Sequence, residues 1–257
     1  MDKKKNQKYK GEKKMKIIGV IPARYGSTRF QGKPLADILG KPMIWWVYQN
    51  ALKIKSLDEV YVATEDKKII DECNKYNIKS VLTSDKHLSG TDRVGEISKK
   101  IDADIYLVLM GDEPLINPND VDKLLEFMVK DDSVEAGLLT TPFTNPVDAV
   151  NTTTIKLAIN DFEDLIFMSR SPIPFPKESL DYKFYKNVGA YAFTKETLNF
   201  FINTKPGNLE LAEGLELLRL LENRKKVKVV KTDNFSISVD TYKDLERVKN
   251  IISNQMK

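Results

Sequence analysis

The short apolar run Ile17-Ile18-Gly19-Val20-Ile21 constrains this chain more than any other stretch. A strand without polar alternation must be covered on both faces, which is the condition of a parallel sheet between helices. The run breaks directly into Pro22-Ala23-Arg24-Tyr25-Gly26-Ser27-Thr28-Arg29-Phe30-Gln31-Gly32-Lys33-Pro34-Leu35. Arg24, Arg29 and Lys33 place three fixed cations beside Gly26 and Gly32 at the end of a predicted strand. Glycine lets the backbone approach phosphate oxygens, and arginine offers planar forked donors, so the loop suits a polyphosphate. A solvated basic loop is the plainer alternative, but the clustering of the charges favours phosphate. The loop is neither G-x-x-x-x-G-K-[ST] nor G-x-G-x-x-G, so a nicotinamide-dependent oxidoreductase has no local support.

The pattern that follows alternates. A helix is predicted from Pro42 to about Lys53, with Pro42 in its first turn. A strand is expected at Glu59 to Thr64, a helix from Glu65 to Tyr76, and a strand at Lys79 to Thr83. Then come a helix over Gly90 to Lys100, a strand over Ile105 to Met110 and a helix over Pro118 to Lys130. Strands and helices in this order indicate βαβ units, hence an α/β fold with a doubly wound, mostly parallel sheet, Rossmann-like. Ligands of such sheets bind outside the carboxyl ends of the strands. The second half reads differently. Short strands are expected at Ala136 to Thr141, Thr154 to Ala158, Leu165 to Ser169 and Val188 to Phe193. Helices follow at Lys195 to Asn203 and Leu209 to Glu222, then strands at Val227 to Val230 and Phe235 to Val239. A last helix starts at Thr241, capped by Thr241 with Asp244. The expected organisation is one domain over residues 15–257. It comprises a nucleotide-binding core over about 15–135 and 225–257 and a smaller mixed α+β lobe over about 136–224.

Composition excludes several classes. The 257 residues are 41% hydrophobic and 30% charged, with a formal charge of +4, ordinary values for a globular domain. Much of the positive charge sits in Met1 to Lys14, which has no apolar periodicity and reads as a disordered basic tail or leader. No aromatic series accompanies those lysines, so a nucleic-acid partner is not expected. Cys73 is the single cysteine and His87 the single histidine; neither an internal disulfide nor a Cys/His metal cluster can form. No apolar stretch approaches the roughly 18–20 residues needed to span a bilayer. The expected setting is therefore the cytoplasm, without a membrane partner.

Two aspartates end apolar strands: Asp112 in Gly111-Asp112-Glu113-Pro114, and Asp240 in Ser236-Ile237-Ser238-Val239-Asp240-Thr241. Opposite a basic phosphate loop, such a pair suits Mg²⁺, which takes a few hard oxygen ligands and shares the rest of its shell with water and phosphates. A turn residue at Asp112 and a helix cap at Asp240 are the competing roles.

At this point the sequence resembles a known family. The blocks are I-P-A-R-Y-G-S-T-R-F-Q-G-K-P-L, S-G-T-D-R at Ser89 to Arg93, G-D-E-P-L-I at Gly111 to Ile116, S-R-S-P-I-P at Ser169 to Pro174 and V-D-T-Y-K-D-L-E-R-V at Val239 to Val248. Together they are similar to the CMP-Kdo synthetases, the 3-deoxy-manno-octulosonate cytidylyltransferases, in family order from Ile17 to Val248. The resemblance implies transfer of CMP from CTP to a 3-deoxy-2-ulosonic sugar acid, in lipopolysaccharide or capsule biosynthesis. The acid's anomeric 2-hydroxyl would attack the α-phosphate and release pyrophosphate. By the same resemblance Arg24, Arg29 and Lys33 would hold the triphosphate, and Asp112 and Asp240 would hold Mg²⁺. Pro22, Ala23, Arg24, Ser89, Gly90, Thr91 and Arg93 would bind the nucleotide. Arg170, Asn187, Tyr191, Glu216 and Met110 would line the sugar-acid side, and a homodimer would form through the second lobe.

Three positions depart from the family pattern. Met110 stands where a Gln is usual, Asn187 where a His is usual, and Leu217 where a Gln is usual. All three fall on the sugar-acid side. They are either drift within one activity or the mark of a modified acceptor, such as an amino or deoxy variant of Kdo. A catalytically silent nucleotide-binding homologue is a further reading, opposed by the retained Lys33, Asp112 and Asp240.

Overall fold

Period-two alternation along the predicted strands determines how the layers form. Ile17 and Ile21 pack into one buried cluster with Val47, Leu107 and Leu124, while Ile18 and Val20 pack into another with Tyr106, Val108 and Phe201. Successive side chains of a strand point to opposite faces, so a run apolar at every position fastens helices to both sides. Each such side chain, fully buried, contributes about 1.5–3 kcal/mol. The computed structural model describes residues 9–10, 13–26, 30–178, 181–234 and 236–256.

Strand β1 (Ile17–Pro22) is followed by helix α1 (Met43–Ala51), β2 (Glu59–Thr64), α2 (Lys67–Lys75), β3 (Ser80–Leu82) and α3 (Gly90–Ser98). Then come β4 (Ile105–Leu109) and α4 (Pro118–Lys130). The second half adds β5 (Ala136–Pro142), β6 (Lys156–Ile159), β7 (Leu165–Ser169), β8 (Tyr185–Thr194), α5 (Lys195–Asn203), α6 (Asn208–Glu213), α7 (Leu218–Glu222), β9 (Lys228–Lys231) and α8 (Tyr242–Gln255). The main sheet runs β7-β6-β8-β4-β1-β2-β3, with β5 pairing both β8 and β9. β1 is parallel to β2 and β4, and β3 is parallel to β2. The α/β class expected from the sequence is the one observed.

β8 joins the two halves. Ala190 to Thr194 pair antiparallel with Leu109 to Ile105, and the same strand pairs with β5 and, through Tyr185 and Lys186, with β6. The nucleotide core and the second lobe therefore share one sheet. A third cluster, of Phe30, Ile38, Met43, Ile237, Val239, Leu245, Val248 and Ile252, docks α8 and the preceding extended segment onto the basic loop.

Several local expectations need correction. The predicted helix from Leu209 to Glu222 is two helices, because Gly214 adopts a left-handed conformation (φ 64°) that ends α6. The predicted strand ending at Val239 is an extended segment rather than a ladder: Val239 N–H donates to Asp112 O at 2.9 Å, and Ile237 and Val239 are buried against α8. Phe235 lies outside the described residues. Pro42 precedes α1 as its cap residue and does not enter its first turn. Within the leader expected to be disordered, Tyr9–Lys10 pairs antiparallel with Lys13–Lys14; its other residues up to Glu12 lie outside those described. Among the described residues no helix is long and apolar enough to cross a membrane.

Candidate active site

The carboxyl ends of β1 and β4 lie side by side, so the loops that follow them meet. After β1 the chain passes through Gly32, left-handed at φ 69°, into a single 3-10 turn at Lys33–Leu35. A side chain at Gly32 would press on the Tyr25 ring at 3.3 Å, so glycine serves both the backbone conformation and the contact. Lys33 Nζ lies 2.6 Å from Asp112 Oδ2 and 3.8 Å from Asp240 Oδ1, and donates to Val239 O at 2.9 Å. One ammonium group thus bridges two carboxylates that are 128 positions apart in the chain (240 − 112).

Asp240 does not cap α8. Thr241 does, accepting Asp244 N–H, while the Asp244 carboxylate accepts Thr241 N–H. The helix-cap role proposed for Asp240 is therefore filled by its neighbour. Asp112 sits on a tight turn: Glu113 N–H donates to Met110 O, and Gly111 packs so closely that a Cβ there would stand 3.0 Å from Pro22 O.

Arg24 is exposed and Pro22 half-buried at the mouth of the loop; Ala23 is buried, its N–H bonded to Ala63 O. Arg29 lies outside the described residues. Ser89 caps α3 through a capping box with Asp92. Gly90 leaves space for Pro22, whose Cγ would lie 3.1 Å from an added Cβ. Thr91 N–H donates to Glu216 Oε2 at 2.9 Å, so Glu216 occupies the N-terminus of α3, where an anion is favoured. Burial nonetheless pushes the Glu216 carboxyl above its usual range. Arg93 is turned inward, its guanidinium held by Glu65 at 2.7 Å, Thr83 and Ser84 O. It fixes the loop ahead of α3 and does not face solvent.

The sugar-acid candidates are less concentrated. Arg170 Nε donates to Glu213 O at 3.0 Å and Nη1 to Thr152 O at 3.2 Å, which ties the end of β7 to α6. Asn187 Nδ2 donates to the Tyr191 hydroxyl at 2.7 Å, and Asn187 Oδ1 is buried with no partner among the described residues. Burial drives the Tyr191 pKa far upward, with Glu216 adding to the shift. Met110 lines the junction of β4 with β8, its N–H bonded to Gly189 O at 2.8 Å. Leu217 is buried in the second apolar cluster, which accounts for its apolar character without reference to any ligand. His87 pairs with Glu96 at 2.7 Å and stands in a loop, as expected.

Sequence reading missed Glu113. It is buried; its Oε1 accepts Gly189 N–H at 3.1 Å and its Oε2 accepts the Ser236 hydroxyl at 2.6 Å. Burial, then the nearby Asp112 charge, pushes its pKa up to about 7. Its place in G-D-E-P was the available signal. Also missed was Arg219, buried between Glu210 and Asp92 at 2.6 and 2.8 Å. Through Asp92 it binds α7 to the first turn of α3.

The donor chemistry at Asp112 and Asp240 fits Mg²⁺. Two hard carboxylates converge, and among the described residues no group of three or more Asp, Glu, His or Cys side chains forms a closed metal cage. A cation held by two carboxylates must fill its shell with water and substrate oxygens, which is how Mg²⁺ binds beside phosphates.

A cytidylyltransferase family model matches residues 18–227. The 3-deoxy-manno-octulosonate cytidylyltransferase of Escherichia coli is 38% identical over 241 residues, covering 94% of this chain and 98% of that protein. The protein of the same name from Geotalea uraniireducens is 42% identical over 246 residues, covering 91% and 98%. Among solved structures, CMP:2-keto-3-deoxy-manno-octonic acid synthetase complexed with CTP superposes with a TM-score of 0.88 at 38% identity, covering 93% of this chain and 99% of that one. A cytidylyltransferase from Leptospira borgpetersenii, 21% identical with a TM-score of 0.64 and covering 93% and 87%, shares the fold.

Proposed function

The chain belongs to the 3-deoxy-manno-octulosonate cytidylyltransferase family, and on that premise we propose that it activates Kdo or a close variant with CTP. The acid's 2-hydroxyl oxygen bonds to the α-phosphorus, the bond to the bridging oxygen breaks, the hydroxyl proton is lost, and CMP-sugar and pyrophosphate leave. The observation that carries the reading is Lys33, after the carboxyl end of β1, held between Asp112 after the carboxyl end of β4 and Asp240 of the extended segment packed beside them. Lys33 exchanges a carboxylate partner for phosphate oxygens when the nucleotide enters, and with Arg24 neutralises triphosphate charge. Asp112 and Asp240 would hold Mg²⁺, which when bound supplies a hard Lewis acid at the phosphates. Ser89, Gly90 and Thr91 would line the nucleotide at the start of α3, where Glu216 accepts Thr91 N–H, and Arg93 braces that segment from the protein interior. Arg170, Asn187, Tyr191, Glu216 and Met110 belong to the acceptor side. The reading places the enzyme in the cytoplasm, where nucleoside triphosphates are made.

A modified acceptor is the second reading, favoured by Asn187 Oδ1, which has no partner among the described residues. Pyrophosphate release from CTP, measured with Kdo, 8-amino-Kdo and other sugar acids, with Mg²⁺ and with chelator, separates these readings. Release with Kdo in Mg²⁺ supports the first. Release with another acid alone transfers the assignment to that acid, and CTP binding without release on any acid points to a silent homologue. The exposed apolar residues Phe162 (78%), Ile166 (59%) and Phe175 (83%) around the β6–β7 hairpin support a second copy of the chain as the partner on the second lobe. Sedimentation should give a dimer that Ile166→Asp converts to monomer.

A further inference from the structure

β4 and β8 are in antiparallel register up to Leu109 and Ala190, so the next residues, Met110 and Gly189, would exchange both backbone bonds. One bond forms: Met110 N–H donates to Gly189 O at 2.8 Å. The other is not made: Met110 O turns with the chain to accept Glu113 N–H as the loop presents Asp112. Glu113 Oε1 takes Gly189 N–H in its place, at 3.1 Å. A side chain thus supplies the missing rung while the main chain leaves the sheet.

The second carboxylate oxygen points the other way. Glu113 Oε2 accepts the Ser236 hydroxyl at 2.6 Å, and Ser236 begins the extended segment that ends at Asp240. Lys186 Nζ donates to Ser236 O at 2.9 Å, binding the same residue to β8. Val239 N–H reaches Asp112 O at 2.9 Å. The fit leaves no slack: a Cβ at Gly189 would stand 2.8 Å from Glu113 Cγ and 2.8 Å from Met110 Cβ.

We propose that Glu113 is a positioning residue for cytidylyl transfer: by tying the Asp112 turn to β8 on one side and to Ser236 on the other, it sets the spacing of Asp112 and Asp240. The same tie fixes Gly189, midway between Asn187 and Tyr191, so it also sets the acceptor side against the nucleotide side. The inference rests on the reading that Asp112 and Asp240 act as a pair.

Three variants test it: Glu113→Ala, Glu113→Gln and Ser236→Ala. Glutamine keeps both bonds, since its carbonyl accepts Gly189 N–H and its amide donates to the Ser236 hydroxyl. Supporting groups of this kind are worth about 10–100-fold in metal affinity or activity. Ser236→Ala and Glu113→Ala should lower kcat by about that factor and raise the Mg²⁺ needed for half-maximal rate, with the KM for CTP at saturating Mg²⁺ little changed. Glu113→Gln should stay close to the parent, because it keeps both bonds. Hydrogen exchange on the ligand-free protein gives a readout independent of turnover: amides of residues 236–240 and 186–191 exchange faster in the two alanine variants and at parental rates in the glutamine variant. If Glu113→Ala does not fold, Ser236→Ala carries the test. Parental kcat and parental exchange in Ser236→Ala overturn the proposal, as does a glutamine variant as poor as alanine. Full turnover in Asp112→Asn would instead overturn the reading of the aspartate pair, a pattern distinct from failure of the tie.

Discussion

The two halves of the sheet handle polar groups in opposite ways. On the parallel side, at the ends of β1 and β4, the charged groups bond to one another at the edge of solvent: Lys33 with Asp112 and Asp240. On the antiparallel side, the basic groups beside the β6–β7 pair bond to backbone carbonyls instead. Lys156 is fully buried, its ammonium bonded to Asn151 O, Thr154 O and Arg170 O, and Arg170 holds Glu213 O. A partly solvated ion pair costs little to open, because water and ligand can take over each partner. A buried polar group surrenders its bonds only at a cost of about 1–3 kcal/mol each. The difference teaches that the parallel side is built to exchange partners with a charged ligand, and the antiparallel side to hold a fixed shape against which an acceptor is measured.

The largest effect that could break this contrast is at Asp112. Asp112→Asn removes a hard anionic ligand, and kcat should fall on the order of a thousandfold, read as pyrophosphate release at saturating CTP. Next in size, Lys33→Met should cost about a hundredfold in kcat/KM for CTP while leaving the KM for the acid near parental. A rise confined to the acid KM would reverse the division between the halves. Smaller and of opposite character is Asn187→Leu. Its buried Oδ1 has no partner among the described residues, but its Nδ2 donates to the buried Tyr191 hydroxyl, so the substitution relieves one unsatisfied group and creates another, and stability in chemical denaturation should shift by no more than about 1 kcal/mol. The substitution should also raise the acid KM about tenfold, the cost of one lost bond, with CTP kinetics unchanged.

The extent to which these features were legible in the sequence follows the same division. β1 and β4 were plain because an apolar residue at every position has one use, a strand covered on both faces. Lys33, Asp112 and Asp240 were plain because each stands next to a glycine turn or a strand end. Glu113 was not, since its partners lie 76 and 123 positions away and neither bond has a local signature. Ile237 and Val239 alternate as a strand would, yet the segment packs on α8 without a ladder; alternation reports burial on one face, not pairing. Across Gly214 the apolar spacing ran on unbroken, and the left-handed turn there was hidden by it.

The smallest effect concerns the loop ahead of α3. Burial alone would raise the Glu96 pKa, but bonds from Lys100, Ser84 N–H and His87 outweigh it and bring it from 4.5 to about 2. The ionised form is thus favoured by folding, its contribution complete above about pH 5 and lost as pH falls toward 2. Glu96→Gln should be less stable than the parent by roughly 1 kcal/mol near pH 6, a figure reduced for solvent screening, and the gap should narrow below about pH 4.5 and close only as pH falls through about 2. Thermal unfolding across that range measures it.

The central claim is that Lys33, Asp112 and Asp240 are the protein's half of a metal–nucleotide clamp. Calorimetric titration of CTP into the parent and into the Asp112→Asn/Asp240→Asn double variant, each in Mg²⁺ and in chelator, tests it most directly. The account predicts that Mg²⁺ tightens CTP binding about tenfold or more in the parent and leaves the double variant unmoved. Equal tightening in both proteins would contradict it.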